Sequence, residues 1–527
     1  MNFIMSPNQI IQKLLKIRGL KSKKQIDEFF NPPHPKDIKS PFDSQSAIDL
    51  INSHISQNHK IAIYGDYDVD GICSTAILWE TLYATYKNVF PHIPHRESEG
   101  YGLSTKGIDH CLSQDAKLII TVDNGIVAHE QIAYARGKNC DVIIIDHHEP
   151  DKKLPNANVI LHSTSCCAAG LAWFFARDYT EHRIPARIVT QSVAGGLNTE
   201  HLSLVAIATV CDLVPLLGIN RSFVKNGLED LKNTKRAGLL AIIQETAIQK
   251  ITPYEIGFII GPRLNAMGRL EHAIDSLRLL CTPKLDQATQ LAKLLGETNK
   301  LRQDETKSSL DHALAALDEN NLPDLIVVSD AGYHAGVIGL IAGKLTEKYH
   351  RPSIAISVGE TESKASCRSI PGFHITEYLR KFDKLLNAVG GHSMAAGFTV
   401  SNLNLPKLLK KLNATKIDPK ILVKVQRVDL EIPLELVNLD LWLALQRLEP
   451  FGMGNPKPIF RSIAVTPTDI KKIGSLGNHL KFKVGDIDCV WFNAGEISSK
   501  TGDLVYSLDE NHYNGTTTLQ LVVKNYG

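Results

Sequence analysis

Short, continuous apolar runs alternate with helix-like stretches through the first half of the chain. Three of these runs lie at 61–64, 118–122 and 142–145, and none shows the apolar–polar alternation of a half-exposed strand. Strands that helices cover on both faces have this composition, because neither face meets water. The pattern therefore predicts an α/β domain with a parallel sheet at about 46–220.

A second, smaller α/β domain is predicted at 321–402, where runs at 325–328 and 353–356 have the same apolar character. Between the two domains, residues 270–320 contain only Pro283 and Gly296 as helix breakers. This stretch is rich in Leu, Ala, Lys and Glu, which predicts one or two long helices. We assign 221–320 to a helical connector.

The two ends of the chain differ from this α/β pattern. Residues 1–45 have the periodicity of short helices and end in a proline-rich breaker. The final part of 403–527 combines β-forming residues with the turn pairs Gly477-Asn478 and Asn514-Gly515, which favours a small barrel or sandwich. Between 401 and 430, seven basic residues accompany two acidic ones. This excess is typical of a solvated face, or of a surface that follows a phosphate backbone.

Composition narrows the class of protein. Hydrophobic residues make up 43% of the 527 positions and charged residues 22%, which excludes a fibre and a disordered chain. The net charge of +2 neither requires nor excludes a polyanionic partner, because a local groove can be basic in a neutral protein. Nine cysteines without a CxxC pair indicate reduced thiols. No apolar run is long enough to cross a membrane, so we expect a cytoplasmic protein without membrane contact.

An acidic cluster follows the first predicted strand. Asp66, Asp68 and Asp70 stand at alternate positions before Gly71. Like charges so close together would cost several kcal/mol to bury without cations. A calcium-binding EF-hand loop would need Glu at its twelfth position, where this chain has Ile77. The remaining alternatives are a divalent-metal site and a solvated acidic turn.

Three further polar clusters follow predicted elements of the first domain: Asp123, the triplet Asp146-His147-His148, and Asp212. Asp123 alone could be a turn or a helix cap. However, the carboxyl ends of parallel strands share one crevice, so these clusters should converge. Mixed carboxylate and imidazole ligands suit Mn²⁺ or Mg²⁺ better than zinc.

These four clusters resemble the motifs of the DHH phosphoesterase superfamily. Their wider order resembles one branch of it, the RecJ family of single-strand-specific exonucleases. The supporting stretches lie at 261–269 (GPRLNAMGR), 334–339 (HAGVIG), 368–370 (RSI), 390–397 (GGHSMAAG) and 449–456 (EPFGMGNP). The resemblance covers about 45–527. It implies a DHH catalytic domain at 46–220, a DHH-associated domain at 321–402, and an OB-fold-like β-barrel at 403–527 that binds nucleic acid.

The resemblance also implies a role for each polar cluster. Two Mn²⁺ or Mg²⁺ ions would be held by Asp66, Asp68, Asp70, Asp123, His147 and Asp212. Asp123 would bridge the two ions and His148 would contact the scissile phosphate, with Asp146 orienting one of the histidines. Two ions about 3.5–4 Å apart can activate a water and stabilise a leaving oxygen.

Substrate-binding residues are expected in two later segments. The first is a Gly/Pro-punctuated loop with Arg263, Asn265 and Arg269, which would bind phosphate or instead brace two domains. The second is a small-residue loop that approaches a phosphate through its backbone and carries Ser366, Arg368 and Ser369, together with His392 behind two glycines.

The implied function is a metal-dependent 5′-to-3′ exonuclease that hydrolyses single-stranded DNA to mononucleotides in repair and recombination. One alternative is a small-substrate phosphoesterase of the same superfamily, acting on oligoribonucleotides or phosphoadenosine phosphate. Another is a non-catalytic replication scaffold. The OB-like region argues against the first alternative, and the complete ligand set argues against the second. We expect a monomer that binds single-stranded DNA, with a single-strand-binding protein or a helicase as a partner.

Overall fold

A computed structural model describes residues 5–100, 102–183, 201–474, 477–494, 497, 500–513 and 516–527, and the strands in these residues form three sheets. The predicted Asn514-Gly515 turn lies outside the described residues. The strands are β1 Lys60–Tyr64, β2 Val89–His92, β3 Ala116–Val122, β4 Asp141–Asp146, β5 Val159–His162, β6 Ile326–Asp330, β7 Ser353–Val358, β8 Glu362–Arg368, β9 Ala388–Gly391, β10 Ala395–Ser401, β11 Leu430–Glu431, β12 Phe460–Val465, β13 Pro467–Ile473, β14 His479–Val484, β15 Ile487–Trp491, β16 Gly502–Tyr513 and β17 Thr516–Tyr526.

Helices surround and connect the sheets. They are α1 Pro7–Ile17, α2 Lys23–Phe30, α3 Gln45–Ser56, α4 Val69–Thr85, α5 Thr105–Ser113, α6 His129–Gly137, α7 Ala168–Arg183, α8 Leu202–Cys211, α9 Gly218–Lys232, α10 Ala237–Thr246, α11 Pro253–Glu255, α12 Gly261–Leu270, α13 Ile274–Cys281, α14 Leu285–Ala315, α15 Ile338–Tyr349, α16 Ile375–Arg380, α17 Leu405–Asn413 and α18 Leu439–Gln446. A π-helical turn, Ile256–Ile260, joins α11 to α12. No helix in this described set is long and apolar enough to span a bilayer.

The first sheet is entirely parallel, in the order β2-β1-β3-β4-β5, which confirms the predicted α/β domain. Its central strands are buried on both faces because α4 and α7 pack on one side and α5 and α6 on the other. All five strands run in the same direction, so they end at one edge, where the polar clusters follow them.

The second domain has the sheet order β6-β7-β8-β10-β9, with β6 and β7 parallel and the remaining pairs antiparallel. The segment predicted as a small-residue loop around Ser366 and Arg368 is instead strand β8. Its side chains alternate between exposed and buried positions, which is the periodicity of a strand. Small side chains masked that pattern in the sequence.

Helix α17 corrects the predicted boundary at 402. Leu405, Leu408 and Leu412 lie on one face of this helix and are buried in the core of the second domain. The lysines Lys407, Lys410 and Lys411 occupy its remaining faces. The second domain therefore continues beyond 402 and includes α17.

The connector contains the predicted long helix, α14, and the shorter α13. The segment with Arg263, Asn265 and Arg269 was predicted as a loop but is helix α12. Pro262 is compatible with this helix because it lies in the first turn, where no intrahelical donor is lost.

The C-terminal sheet has seven strands in the order β11-β12-β16-β17-β15-β14-β13. In the described residues no pairing joins β11 to β13, so the sheet is open rather than a closed barrel. The short helices predicted in the extension at 1–45 include α1 and α2, and Ile10, Leu14 and Phe29 of these helices are buried in this domain's core. Their apolar stripe needs a partner surface, and that surface lies more than 400 residues away in the sequence.

Candidate metal centre

The polar clusters meet at the carboxyl edge of the first sheet. Asp66 follows β1, Asp123 follows β3, and His147 follows β4. Asp212 arrives from the end of α8. The Nε2 atom of His147 is 3.2 Å from Asp123 Oδ1, 3.6 Å from Asp70 Oδ2 and 3.8 Å from Asp212 Oδ2. Four segments that are distant in sequence therefore contribute to one cluster.

Three groups of ligand atoms overlap in this cluster, as judged from the described residues, and the atoms of each group lie within 4.8 Å of one another. The groups are Asp66-Asp68-Asp123, Asp70-His147-Asp212, and Asp123-His147-His148. Asp123 belongs to the first and third groups, and His147 to the second and third. Asp123 could therefore contact two neighbouring cations, as expected of a two-metal site.

Unpaired buried atoms test whether a metal fits this cluster. In the described part of the chain, Asp66 Oδ2, Asp123 Oδ1 and His147 Nε2 are buried and make no hydrogen bond, although the last two atoms lie 3.2 Å apart. Leaving such groups unsatisfied is costly, and native proteins rarely do so. All three are ligand atoms for a divalent cation. The donor set therefore fits the Mn²⁺ or Mg²⁺ ions expected from the sequence.

The carboxylates of the cluster are hard to ionise without cations. Burial raises the pKa of Asp66 and Asp123 well above its usual range, and neighbouring carboxylates raise it further. Burial and the charges of Asp70 and Asp68 raise the pKa of Asp212 to about 8. Burial lowers the pKa of His147, which keeps its imidazole neutral and able to ligate a metal.

Local backbone structure positions the acidic loop. Asp68 is the N-cap of α4, and its Oδ1 accepts hydrogen bonds from the backbone N–H groups of Asp70 and Gly71. Any Cβ at Gly71 would lie 2.6 Å from the backbone of Asp66, so only glycine allows the two ends of the loop to approach. Both carboxylate oxygens of Asp70 accept backbone N–H groups at the start of α7.

Asp146 orients His148, a choice between two histidines that the sequence left open. Asp146 Oδ1 accepts a hydrogen bond from His148 Nδ1 at 2.8 Å and others from the backbone of both histidines. Its Oδ2 accepts from the Ile126 N–H. Burial would lower the pKa of His148, but the Asp146 hydrogen bond and charge outweigh it and raise the pKa to about 9. The Asp146 carboxylate thus favours the protonated form of His148.

Four arginines lie near one another, and one of them, Arg96, is close enough to the acidic loop to oppose the rise in the pKa of Asp66. Burial and the charges of Arg96, Arg302 and Arg368 together lower the pKa of Arg269 to about 10. A Cβ at Gly339, in the first turn of α15, would lie 3.2 Å from Arg368 Nη2, so this helix N-terminus adjoins the group. Guanidinium groups and helix N-termini both bind phosphate. We call Arg96, Arg269, Arg302 and Arg368 the arginine cluster.

The other residues expected to bind substrate differ in their contacts within the protein. Arg263 is paired with Glu245 at 2.9 Å and also donates to the Ile259 carbonyl, so it braces α12 against α10. Asn265 lies on the same helix. The Ser366 hydroxyl accepts a hydrogen bond from Arg368. The Ser369 hydroxyl donates one to the Phe373 carbonyl oxygen. His392 follows β9 and is exposed.

Sequence reasoning missed Arg96 and Arg302. Arg96 follows β2, so the rule that ligands bind beyond strand ends would have found it. Strand β2 was not recognised because Val89–His92 is short and contains Pro91. Arg302 lies in a helix rich in charged residues, and no local signal distinguishes it.

Comparison with known proteins gives a consistent assignment. Family models match the DHH family N-terminal domain at residues 60–209, the DHHA1 domain at 323–416 and the RecJ OB domain at 428–525. A protein of Bacillus subtilis named single-stranded-DNA-specific exonuclease RecJ is 34% identical over 94% of this chain. The chain spans only 64% of that relative's length.

Relatives from Thermus thermophilus extend the match to structure. The protein with the same name in that organism is 30% identical, over 89% of this chain and 69% of the relative. The crystal structure of Thermus thermophilus RecJ in complex with Mn²⁺ matches with a TM-score of 0.84 and 28% identity, covering 98% of this chain and 75% of that one. Its Mg²⁺ complex matches with a TM-score of 0.76. The chain therefore belongs to the RecJ family.

Proposed function

We propose that this chain is a metal-dependent exonuclease that hydrolyses the phosphodiester bonds of single-stranded DNA and releases mononucleotides from the 5′ end. The observation that carries this proposal is the buried cluster of carboxylates and His147 with its unpaired ligand atoms. The relatives are named single-stranded-DNA-specific exonucleases, which supports the substrate class. The 5′ polarity is what the resemblance to the RecJ family implies.

Asp66, Asp68, Asp70, Asp123, His147 and Asp212 would hold two Mn²⁺ or Mg²⁺ ions. Such ions supply Lewis acidity that activates water and stabilises negative charge on the leaving oxygen. The unpaired oxygens of Asp66 and Asp123 become satisfied in that state. Asp70 is held by the start of α7, so its carboxylate is already oriented before a metal binds.

His148 and the arginine cluster act on the substrate. His148 would donate a hydrogen bond to an oxygen of the scissile phosphate. Asp146 fixes the ring through Nδ1. Arg269 and Arg368 bind a neighbouring phosphate and hold the strand end against the metal centre. Each of these donors would stabilise the negative charge on the phosphate oxygens, in place of solvating water.

The alternatives are weaker for specific reasons. A small-substrate phosphoesterase has no use for the domain at 428–525, which matches the RecJ OB model. A non-catalytic scaffold would not keep a complete set of ligands in one cluster. We further propose a cytoplasmic monomer that works with a single-strand-binding protein or a helicase. The nine cysteines are all free, which suits a reducing compartment.

One experiment tests the reaction. Oligonucleotides labelled at either end, single-stranded or duplex, are incubated with the protein in Mn²⁺, Mg²⁺ or EDTA. We expect mononucleotides to appear from the 5′ end of single strands only, and EDTA to stop the reaction. Asp123→Ala should reduce turnover below detection because it removes the shared ligand.

Asp151→Ala is the matched control, because Asp151 is an exposed aspartate soon after β4 whose carboxylate pairs with His129. It should retain wild-type turnover. Metal-independent hydrolysis, or full activity in Asp123→Ala, would contradict the proposed function.

A further inference from the structure

Two exposed aromatic rings stand on the helical segment that leads into α12. Tyr254 in α11 is 62% exposed and Phe258 in the π-helical turn is 68% exposed. The two rings stack on each other with centroids 4.8 Å apart and planes 30° apart. We call these two side chains the ring pair. Most apolar surface of this size is buried in proteins, so an exposed pair marks a binding surface.

The backbone under the ring pair is tightly built. Thr252 begins the segment with a capping box, in which its hydroxyl accepts from the Tyr254 N–H and Glu255 accepts from the Thr252 N–H. Ile256 and Ile260 of the π-helical turn are buried. Thus the turn faces the core with its aliphatic side chains and presents Phe258 outward. Single π-helical turns occur preferentially at functional sites.

The segment that bears the ring pair packs on the helix that ends at Asp212. A Cβ at Gly257 would lie 3.8 Å from Val210, and one at Gly261 would lie 2.4 Å from the Cys211 sulfur. The π-helical turn therefore packs on the last turn of α8, directly before the metal-ligand candidate Asp212. Helix α12 then continues from this turn to Arg269 of the arginine cluster.

On its other side, the same segment reaches the C-terminal domain. Lys250, four residues before Tyr254, lies 3.7 Å from Glu510 on strand β16. The segment that bears the ring pair consequently contacts both the helix that ends at Asp212 and the domain that matches the RecJ OB model. A strand bound by both would pass this segment.

We propose that Tyr254 and Phe258 form a base-stacking platform for single-stranded DNA between the metal centre and the C-terminal domain. This inference rests on the proposed function and adds a binding subsite to it. Every nucleobase has a π-face, so aromatic platforms bind single strands without sequence preference. A duplex hides these faces in its own stack, so the platform also favours single strands.

The test measures binding separately from hydrolysis. The double variant Tyr254→Leu/Phe258→Leu keeps apolar bulk but removes both π-faces. Fluorescence anisotropy in EDTA, with the full chain and a labelled oligothymidylate, gives the Kd while the DNA stays intact. We expect the Kd to rise about 5- to 50-fold relative to wild type. The single variant Phe258→Leu serves if the double variant does not fold.

Tyr83→Leu is the matched control. Tyr83 stacks on Trp79 with a centroid distance of 4.8 Å, but it lies near the far end of α4, about 20 Å along the helix from the metal ligands. Its Kd should equal that of wild type. The Tm of each leucine variant, measured in parallel, should remain within a few degrees of wild type because the rings are exposed.

A second oligonucleotide, with the same backbone and abasic sugars, isolates the stacking. Wild type and the double variant should bind it with equal Kd values. An unchanged Kd for the double variant on oligothymidylate would overturn the platform, and so would an equal loss on both oligonucleotides. Absence of metal-dependent hydrolysis by wild type would defeat the proposed function instead, and the binding measurements would still decide the platform.

Discussion

At the scale of single residues, one metal-ligand candidate, Asp123, has a strained backbone conformation. Asp123 has a φ of 63°, which lies in the left-handed region that costs a non-glycine residue roughly 1–2 kcal/mol. Its N–H bonds to the Ile145 carbonyl of the next strand, and its carboxylate faces His147. Strained residues of this kind concentrate at functional sites. The chain thus gives up some stability to place one carboxylate.

Asp146 is the residue whose role can be isolated most clearly. In Asp146→Asn the side-chain amide cannot accept at both positions, so either the Ile126 N–H or the histidine N–H groups lose their partner. We expect turnover to fall about 10- to 100-fold as His148 loses its orientation. Steady-state kinetics and calorimetric Mn²⁺ titration measure the effect. Asp151→Asn is the control, and equal turnover of the two variants would contradict this role.

At the scale of elements, the segment after β2 presents Arg96 to the metal centre. Glu99 ties the end of this segment back to its start. Its carboxylate lies 2.9 Å from His92 Nε2 and accepts a hydrogen bond from the His95 N–H. Burial would raise the pKa of Glu99, but these two hydrogen bonds outweigh it and lower the pKa. Glu99 remains ionised at neutral pH and holds the segment in one conformation.

A double-mutant cycle tests this arrangement. Arg96→Ala should raise the KM for single-stranded DNA about tenfold, since a phosphate contact is lost. Glu99→Ala should raise it by a similar factor because it releases the segment that positions Arg96. The double variant should be little worse than either single one, which is the mark of a shared effect. Glu97→Ala, in the same segment but exposed, should behave as wild type; additive losses would refute the coupling.

At the scale of the whole molecule, Arg221 joins distant parts of the chain. This residue of α9 is buried, and its guanidinium donates to the carbonyl oxygens of Phe29, Leu448, Glu449 and Pro450. It also covers the Phe29 ring at 3.7 Å. One side chain thereby links helix α9 to the N-terminal helices and to the C-terminal domain.

Replacing Arg221 should loosen this junction. Arg221→Met leaves buried carbonyl groups without donors, at a cost of about 1–3 kcal/mol for each group that stays unsatisfied. We expect calorimetry to show an earlier, separate unfolding transition of the C-terminal domain. Lys232→Met is the matched control, because that lysine lies on the same helix but is exposed and pairs only with Glu229. A single transition at the wild-type Tm would show that Arg221 does not hold the domains together.

The chain's local pattern determined a large part of the fold and the site. The runs at 61–64, 118–122 and 142–145 became β1, β3 and β4 because continuous apolar strands need cover on both faces. Since parallel strands end at one edge, the same pattern also predicted that the polar residues following these strands would lie close together. Asp66, Asp123 and His147 do so. These features depend on short-range periodicity, which a single sequence displays.

Other features were decided only by tertiary structure. Helix α1 packs against the C-terminal domain. Helix α17 packs into the second domain, although its sequence was assigned to the C-terminal domain. The arginine cluster assembles from a segment, two helices and a strand. Periodicity predicts that a face will be buried but not which surface covers it. Long-range packing makes that choice, and it also places the segment that bears the ring pair on the last turn of α8.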